Sequence, residues 1–452
     1  MDLIGSMIRH LAFPLMEKAK GNHIRQNLLE LKKSESLSWD ALKKLQKDRL
    51  RHLLQHAVTS VPAYRDFASM MPLIEQDPLS ALTRFPVLSK DVFREDTEKY
   101  FSEAADRSQC ILNRTGGSTG KPLTFYMDRH TVEYYEAARY RGLSWSNIRV
   151  GDPCVMIWGS PIELSQQAQR KQRMKERFLK NRIVIPAFNL RKEQLLEYVK
   201  TIESFRPVYI YGWATALALF ASFMLEQKIK LSIPIKAVVN TAETLYPYQR
   251  ELIEQAFACP VINEYGARDG GIIGYECSQG HLHLTVENAV YEAVDIKTLQ
   301  PVAPGQKGLL LVSDLHNYVM PRLRYQLGDV VVMASDPASC EITLPVLESI
   351  EGRENDTFLA LDGSFINGQY FTNVARTLLS IKQFQVIQQT PNDVVLRLVD
   401  HEGLKAQDID EFKMGITNRM GEVMIRVERV KEIAPADSGK VRAAIRNFAL
   451  PR

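Results

Sequence analysis

The chain has 452 residues, 45% of them hydrophobic and 24% charged, with a formal net charge of +4. That is too long for one ordinary core and too balanced for a disordered chain or a membrane bundle. The small charge argues against a nucleic-acid binder, which carries a stronger basic excess.

The chain opens MDLIGSMIRHLAFPLMEKAKG, an apolar run broken by Arg9, His10 and Pro14 and followed by no small-residue cleavage site. No signal peptide is read there, and no stretch reaches the ~18 apolar residues of a membrane span. A helix packed on its own domain is expected, with peripheral membrane contact left open. From about 22 to 58, Leu28, Leu29, Leu31, Leu42, Leu45, Leu50, Leu53 and Leu54 recur at helical spacing. VPAYRDF and FPVLSKDVFRE follow, where Pro62 and Pro86 punctuate helices and Ser89 is placed to cap one.

Between 111 and about 350, short apolar or β-branched runs alternate with amphipathic segments: CVMIW (154–158), RIVIPA (182–187), VYIYG (208–212), IKAVVN (235–240) and PVINEYG (260–266). The alternation predicts an α/β domain with a buried sheet. The last hundred residues differ. FQVIQQT and VVLRLVD read as two strands around a turn, KAQDIDEFKMGITNRMG as a helix ending at Gly421, and EVMIRVERVKEI as a further strand. The expected organisation is a large domain over 1–352, with a helical segment over 1–100, and a small α+β domain over 353–452. The five cysteines (Cys110, Cys154, Cys259, Cys277, Cys340) are scattered and never form C-x-x-C, which fits a reducing, cytoplasmic setting.

The sharpest chemical feature is Arg114-Thr115-Gly116-Gly117-Ser118-Thr119-Gly120-Lys121-Pro122. Its glycines permit close backbone approach, and its hydroxyls and lysine offer donors to phosphate oxygens. It is not a Walker A loop: Pro122 stands where the magnesium-binding hydroxyl belongs, and LTFYM after it reads as a strand. A strand–loop–strand phosphate cradle is expected; a ligand-free glycine hairpin is the alternative. Downstream come Asn263-Glu264-Tyr265-Gly266-Ala267-Arg268-Asp269, Tyr325-Gln326-Leu327-Gly328-Asp329, Gly352-Arg353-Glu354-Asn355-Asp356 and Ser438-Gly439-Lys440.

In this order and spacing the motifs resemble the acyl-adenylate-forming superfamily, within it the phenylacetate–CoA ligase-like branch that includes capsular-polysaccharide-associated, CapK-like members. The resemblance covers nearly the whole chain, VPAYRDF and PVLSKDVFRED included. It implies a large adenylate-forming domain and a small C-terminal domain that moves. It implies that Thr115 to Lys121 hold the β- and γ-phosphates of ATP, and that Thr241-Ala242-Glu243 lies along the adenine. Tyr265, followed by Gly266, would stack on the purine, and Asp329 would accept the ribose hydroxyls, with Arg353 also reaching the ribose. Lys440 would approach the substrate carboxylate and the α-phosphate, and Glu264 or Asp269 would hold Mg²⁺. Asp269 stands where the family pattern has Glu, and Asn355 where relatives often carry a hinge aspartate.

The implied reaction is ATP-dependent activation of a small carboxylic acid, with pyrophosphate release and transfer to a thiol acceptor, usually coenzyme A. A carrier-protein, amine or sugar acceptor is the first alternative, and a non-catalytic nucleotide-binding protein the second. Separately, Cys277-x-x-x-His281-x-His283, with Cys259 as a further candidate, has zinc-compatible spacing but lacks a full four-ligand pattern; the sequence favours a plain β-hairpin. The basic run 169–182 is read as a solvated helix face, with coenzyme A phosphates or a membrane surface as the alternatives. Trp158, Gly159, Tyr211 and Trp213 are pocket-wall or core candidates.

Overall fold

The computed structural model describes residues 3–114, 123–158, 174–186, 192–336, 338–353, 357–363, 365–376, 378, 380–381, 383–400, 403–434 and 442–448. The expected phosphate loop (115–122), Gly159, the first part of the basic run, Asn355, Lys440 and the side chain of Arg353 lie outside the described residues.

Strands β1 (Ile111–Arg114) and β2 (Thr124–Met127) pair antiparallel, with Arg114 opposite Thr124. They bracket residues 115–122, as the strand–loop–strand reading requires. The central sheet has eleven strands: β3 (Cys154–Ile157), β4 (Arg182–Ile185), β5 (Tyr209–Trp213), β6 (Ala237–Thr241), β7 (Val261–Ala267), β8 (Gly271–Glu276), β9 (Leu282–Leu284), β10 (Ala289–Val294), β11 (Lys307–Asp314), β12 (Tyr325–Met333) and β13 (Val346–Arg353). Their spatial order is β10-β11-β12-β13-β9-β8-β7-β6-β5-β3-β4. From β4 to β7 the neighbours are parallel; from β7 to β10 they are antiparallel.

All five segments read as strands form the parallel half. In β3, β5 and β6 the near-continuous apolar composition follows from burial on both faces. Val238 enters the core made with helices 214–226 and 247–257, while its neighbour Val239 enters the opposite one, made with helix 129–144. The antiparallel half rests on a third core joining Phe93, Phe125, Tyr265, Ile273, Val312 and Tyr325.

The expected N-terminal helices are present at Ile24–Ser34 and Trp39–Ser60. The Ser89 hydroxyl accepts from Val92 N at 3.2 Å and caps helix 90–95. Residues 3–20 are helical as well. Their inner face is fixed by buried Ile8 and Phe13 and by Arg9 on Asp152 at 2.6 Å, while Leu3, Met7, Leu11 and Leu15 face outward. Among the described residues, no helix is long and apolar enough to cross a membrane.

VPAYRDF and FPVLSKD have a clear structural task. Tyr64 is buried, donates to Pro321 O at 3.1 Å and accepts from Leu323 N. Leu88 exchanges backbone hydrogen bonds with Arg324 and Gln326 at the start of β12. Both segments therefore buttress the strand that carries Asp329.

A smaller α+β domain follows. Its four-stranded sheet runs β18-β17-β16-β19, from β16 (Phe384–Thr390), β17 (Asp393–Val399), β18 (Met424–Val430) and β19 (Ala444–Arg446), after a short pair β14 (Thr357–Leu359) and β15 (Phe365–Asn367). Helix 406–420 lays Ile409, Phe412, Ile416 and Met420 on it and ends at Gly421, whose φ is +89°.

Candidate active site

In an α/β sheet the carboxyl ends of parallel strands are where a ligand meets the chain, because loops there can face it without breaking the core. Here β5, β6 and β7 bring Tyr211, Thr241 and Glu264 together at that end. Glu264 is 3% exposed. Its Oε1 accepts from the Tyr211 hydroxyl at 2.7 Å and the Thr241 hydroxyl at 3.2 Å, and its Oε2 accepts from Arg139 Nε at 3.2 Å. Burial works against the charge on Arg139, but Glu264 outweighs it and holds the guanidinium well above its ordinary pKa. Trp158, Tyr211 and Trp213 form an aromatic wall beside this carboxylate, with ring centroids 5.2 Å apart for the two tryptophans. Trp213 also packs in the core, so wall and core describe the same residue.

Beyond Thr241 the chain turns at Ala242, which adopts a left-handed φ of +64°. The Asn240 side chain fixes the turn by donating to Glu243 O at 3.1 Å and to Asn263 Oδ1 at 2.9 Å. The Ala242–Glu243 backbone is thereby held at the strand-end rim.

Tyr265 follows Glu264 but joins the other core, as alternation along a strand demands. Its hydroxyl donates to Asp329 Oδ2 at 2.8 Å. Asp329 follows Gly328, whose φ of +86° suits glycine and beside which a Cβ would meet nothing within 4 Å. Asp329 itself is buried, with 9% of its surface exposed. Asp329 is also paired in register with Arg353 on β13. Gly266 is required for a different reason: a Cβ there would lie 2.8 Å from Gly271 O, at the irregularity where β7 turns toward β8.

Asp269 is 5% exposed and takes Lys90 Nζ at 3.0 Å and the Tyr325 hydroxyl at 2.8 Å, both on Oδ2. Burial raises its pKa, but the Lys90 ammonium outweighs that, and the carboxyl sits below its usual value. The two metal candidates therefore differ. Glu264 has contacts on both oxygens, whereas the contacts of Asp269 fall on one.

Sequence reasoning missed Arg139 and Lys90. Arg139 lies 125 positions from Glu264, and no spacing rule connects them. The described part of the basic run is partly neutralised within itself: Glu176, 4% exposed, takes Arg182 at 2.6 Å and Lys180 at 3.3 Å. Cys277, His281 and His283 do come together, but their fourth neighbour is Cys340. Cys259 instead packs in the apolar core beside Ala256, Phe257 and Val261. Its apolar surroundings, not its sequence distance, remove it from that group.

Comparison with known proteins bears directly on this arrangement. Residues 358–447 match the family model described as the CapK C-terminal domain. Protein CapK of Staphylococcus aureus is 26% identical, over 81% of this chain and 80% of its own length. Residues 358–447 carry the CapK C-terminal domain, and most of the chain is similar to CapK and to phenylacetate–CoA ligases of the acyl-adenylate-forming kind. A phenylacetate-coenzyme A ligase of Thermus thermophilus is 25% identical, over 77% of this chain and 78% of its own. The likeness of fold extends through both domains. A solved structure of 2-hydroxyisobutyryl-CoA ligase in the postadenylation state superposes with a TM-score of 0.70 at 19% identity, covering 91% of each chain.

Proposed function

We propose that this chain is an ATP-dependent, AMP-forming carboxylate ligase that makes an acyl-adenylate, releases pyrophosphate and passes the acyl group to a thiol, coenzyme A first among them. The observation that carries the reading is the Tyr265–Asp329 hydrogen bond between β7 and β12. It sets an aromatic ring and an anionic acceptor side by side, the donor set a nucleoside needs: a π-face for the base and a carboxylate for ribose hydroxyls. The similarity to phenylacetate–CoA ligases supports the same assignment. Cytoplasmic placement belongs to the proposal, as does a domain boundary at 352/353.

In this reading the purine lies against Tyr265 and along the Ala242–Glu243 turn. The ribose meets Asp329 and Arg353. Residues 115–121 take the β- and γ-phosphates from the β1–β2 hairpin. The acid is already ionised at neutral pH, so its attack on the α-phosphorus needs little proton transfer. The obstacle is crowding of negative charge, and fixed cations and backbone donors lower it; losing one such donor typically costs ~10²–10³ in rate. Lys121 and Lys440 are the ammonium groups assigned to that task. Mg²⁺, when bound, would neutralise phosphate charge. Asp269 fits it better than Glu264, because its contacts leave one oxygen to face a cation and Mg²⁺ needs only one or two carboxylates beside phosphate oxygens. Glu264 then orients the aromatic wall against which the acid would lie.

The test is product analysis with ATP, Mg²⁺ and a panel of aryl and alkyl acids. AMP and pyrophosphate are expected, with hydroxamate formed when hydroxylamine traps the adenylate. ADP with orthophosphate as the products would overturn the reading.

A further inference from the structure

Cys277, His281, His283 and Cys340 place one potential ligand atom each within 4.8 Å of one another. Two come from the β8–β9 turn, one from β9, and the fourth from the segment leading into β13. We propose that these four residues bind a structural Zn²⁺ ion, distinct from the nucleotide site.

The spacing is that of a tetrahedral site. Zn–S bonds of ~2.3 Å and Zn–N bonds of ~2.0–2.1 Å place tetrahedral ligand atoms about 3.3–3.8 Å apart. His283 Nε2 lies 3.3 Å from Cys340 Sγ, and His281 Nδ1 lies 3.9 Å from Cys277 Sγ. The second layer is in place as well. His283 Nδ1 is 3.0 Å from Leu344 O, and a carbonyl only accepts, so the proton sits on Nδ1 and the Nε2 lone pair faces the cluster. The Cys277 amide donates to His281 O at 2.9 Å and closes the turn that joins the first two ligands. Cys277 and His283 are buried, while Cys340 and His281 are partly exposed, which gives an ion a route in.

Two thiolates and two neutral imidazoles suit Zn²⁺ above hard cations such as Mg²⁺ or Ca²⁺. On binding, both thiols release their protons to solvent. The resulting centre is electrically neutral, as a half-buried position favours.

The location supplies the purpose. β9 and β13 are joined by only two register pairs, Val346 with His283 and Leu347 with Leu282. That short seam connects the half of the sheet carrying Tyr265 to the half carrying Asp329 and Arg353. An ion held by His283 on one side and Cys340 on the other staples the seam across 57 positions of chain. The outer end of β13 is independently anchored, since Thr343 N donates to Glu35 O at 2.9 Å.

The experiment is elemental analysis of the full-length protein purified without added metal, followed by chelation and reloading with Co²⁺. One equivalent of zinc per chain is expected, with both thiols resistant to a thiol reagent until chelator is added. The Co²⁺ form should show the intense ligand-field bands of a tetrahedral site and sulfur-to-cobalt charge transfer. Chelation should lower the melting temperature, and zinc should restore it. Cys340→Ser should lose the charge-transfer intensity of one thiolate. If it fails to fold, His281→Gln, at a partly exposed ligand, provides the same reading with weakened zinc retention. Metal-free protein with freely reactive thiols and no cobalt spectrum overturns the proposal. So does a Cys277–Cys340 disulfide in the native protein, or zinc that Cys340→Ser and His281→Gln both retain at wild-type affinity.

Discussion

The hydroxyl of Tyr265 donates to the carboxylate of Asp329 at 2.8 Å, although 64 positions separate them along the chain. The bond spans the sheet from the strand that continues the parallel half to one well inside the antiparallel half. It holds a ring and an anion in fixed relation, so each residue's removal should affect nucleotide binding in a different way.

Asp329→Ala should weaken ATP binding by about 1.5–3 kcal/mol per lost charged hydrogen bond, roughly 10- to 150-fold each. Tyr265→Phe keeps the ring and removes only the hydroxyl, so its loss should be smaller. Calorimetric titration with ATP reads both. Equal affinity for Asp329→Ala and wild type would remove the residue from the site.

The Lys90–Asp269 pair predicts a pH dependence. The folded carboxyl lies below its ordinary value, because Lys90 outweighs burial. Such a group stabilises the fold above the unfolded carboxylate pKa of ~3.9, and the contribution disappears as pH falls through the folded value. Lys90→Met strands a buried charge and should cost about 3 kcal/mol at pH 7, the low end for a broken pair because Lys90 is one-third exposed. In the variant, burial without the ammonium raises the Asp269 carboxyl, so its protonation should narrow the gap to wild type in urea unfolding as pH falls from 7 toward 4. A gap that widens on acidification contradicts the pair's assigned role.

Glu264 and Asp269 are distinguishable by magnesium. Asp269→Asn should raise the Mg²⁺ concentration needed for half-maximal pyrophosphate exchange. Glu264→Gln should leave that requirement unchanged while disturbing its contacts with Tyr211 and Arg139. The reverse pattern would transfer the metal role to Glu264.

In sequence Lys440 falls between β18 and β19. In the proposed reaction this lysine would meet the α-phosphate with the small domain closed over the nucleotide. Lys440→Ala should abolish adenylation yet still transfer the acyl group from presynthesised acyl-adenylate, where AMP leaves with little new charge crowding. Pyrophosphate exchange follows the first half-reaction and thioester formation the second. Equal loss of both would show that Lys440 serves the fold or both states.

Local sequence determined a large part of this protein. Runs such as KAVVN became strands because apolar side chains on both faces leave a buried parallel strand as their stable home. Ser89 and Gly421 ended or began helices by chemistry that acts within a few residues. The residue types at the candidate site were legible too, since a motif such as Glu264-Tyr265-Gly266 carries its side chains in one segment. Tertiary structure alone decided the partners. Arg139 for Glu264, Lys90 for Asp269 and Cys340 for His283 lie on segments whose proximity depends on strand order. The antiparallel return of β13 onto β9 brings Cys340, rather than Cys259, to the histidines. Strand order is a property of the whole chain's packing, set by which buried faces must meet, and no spacing within one segment encodes it.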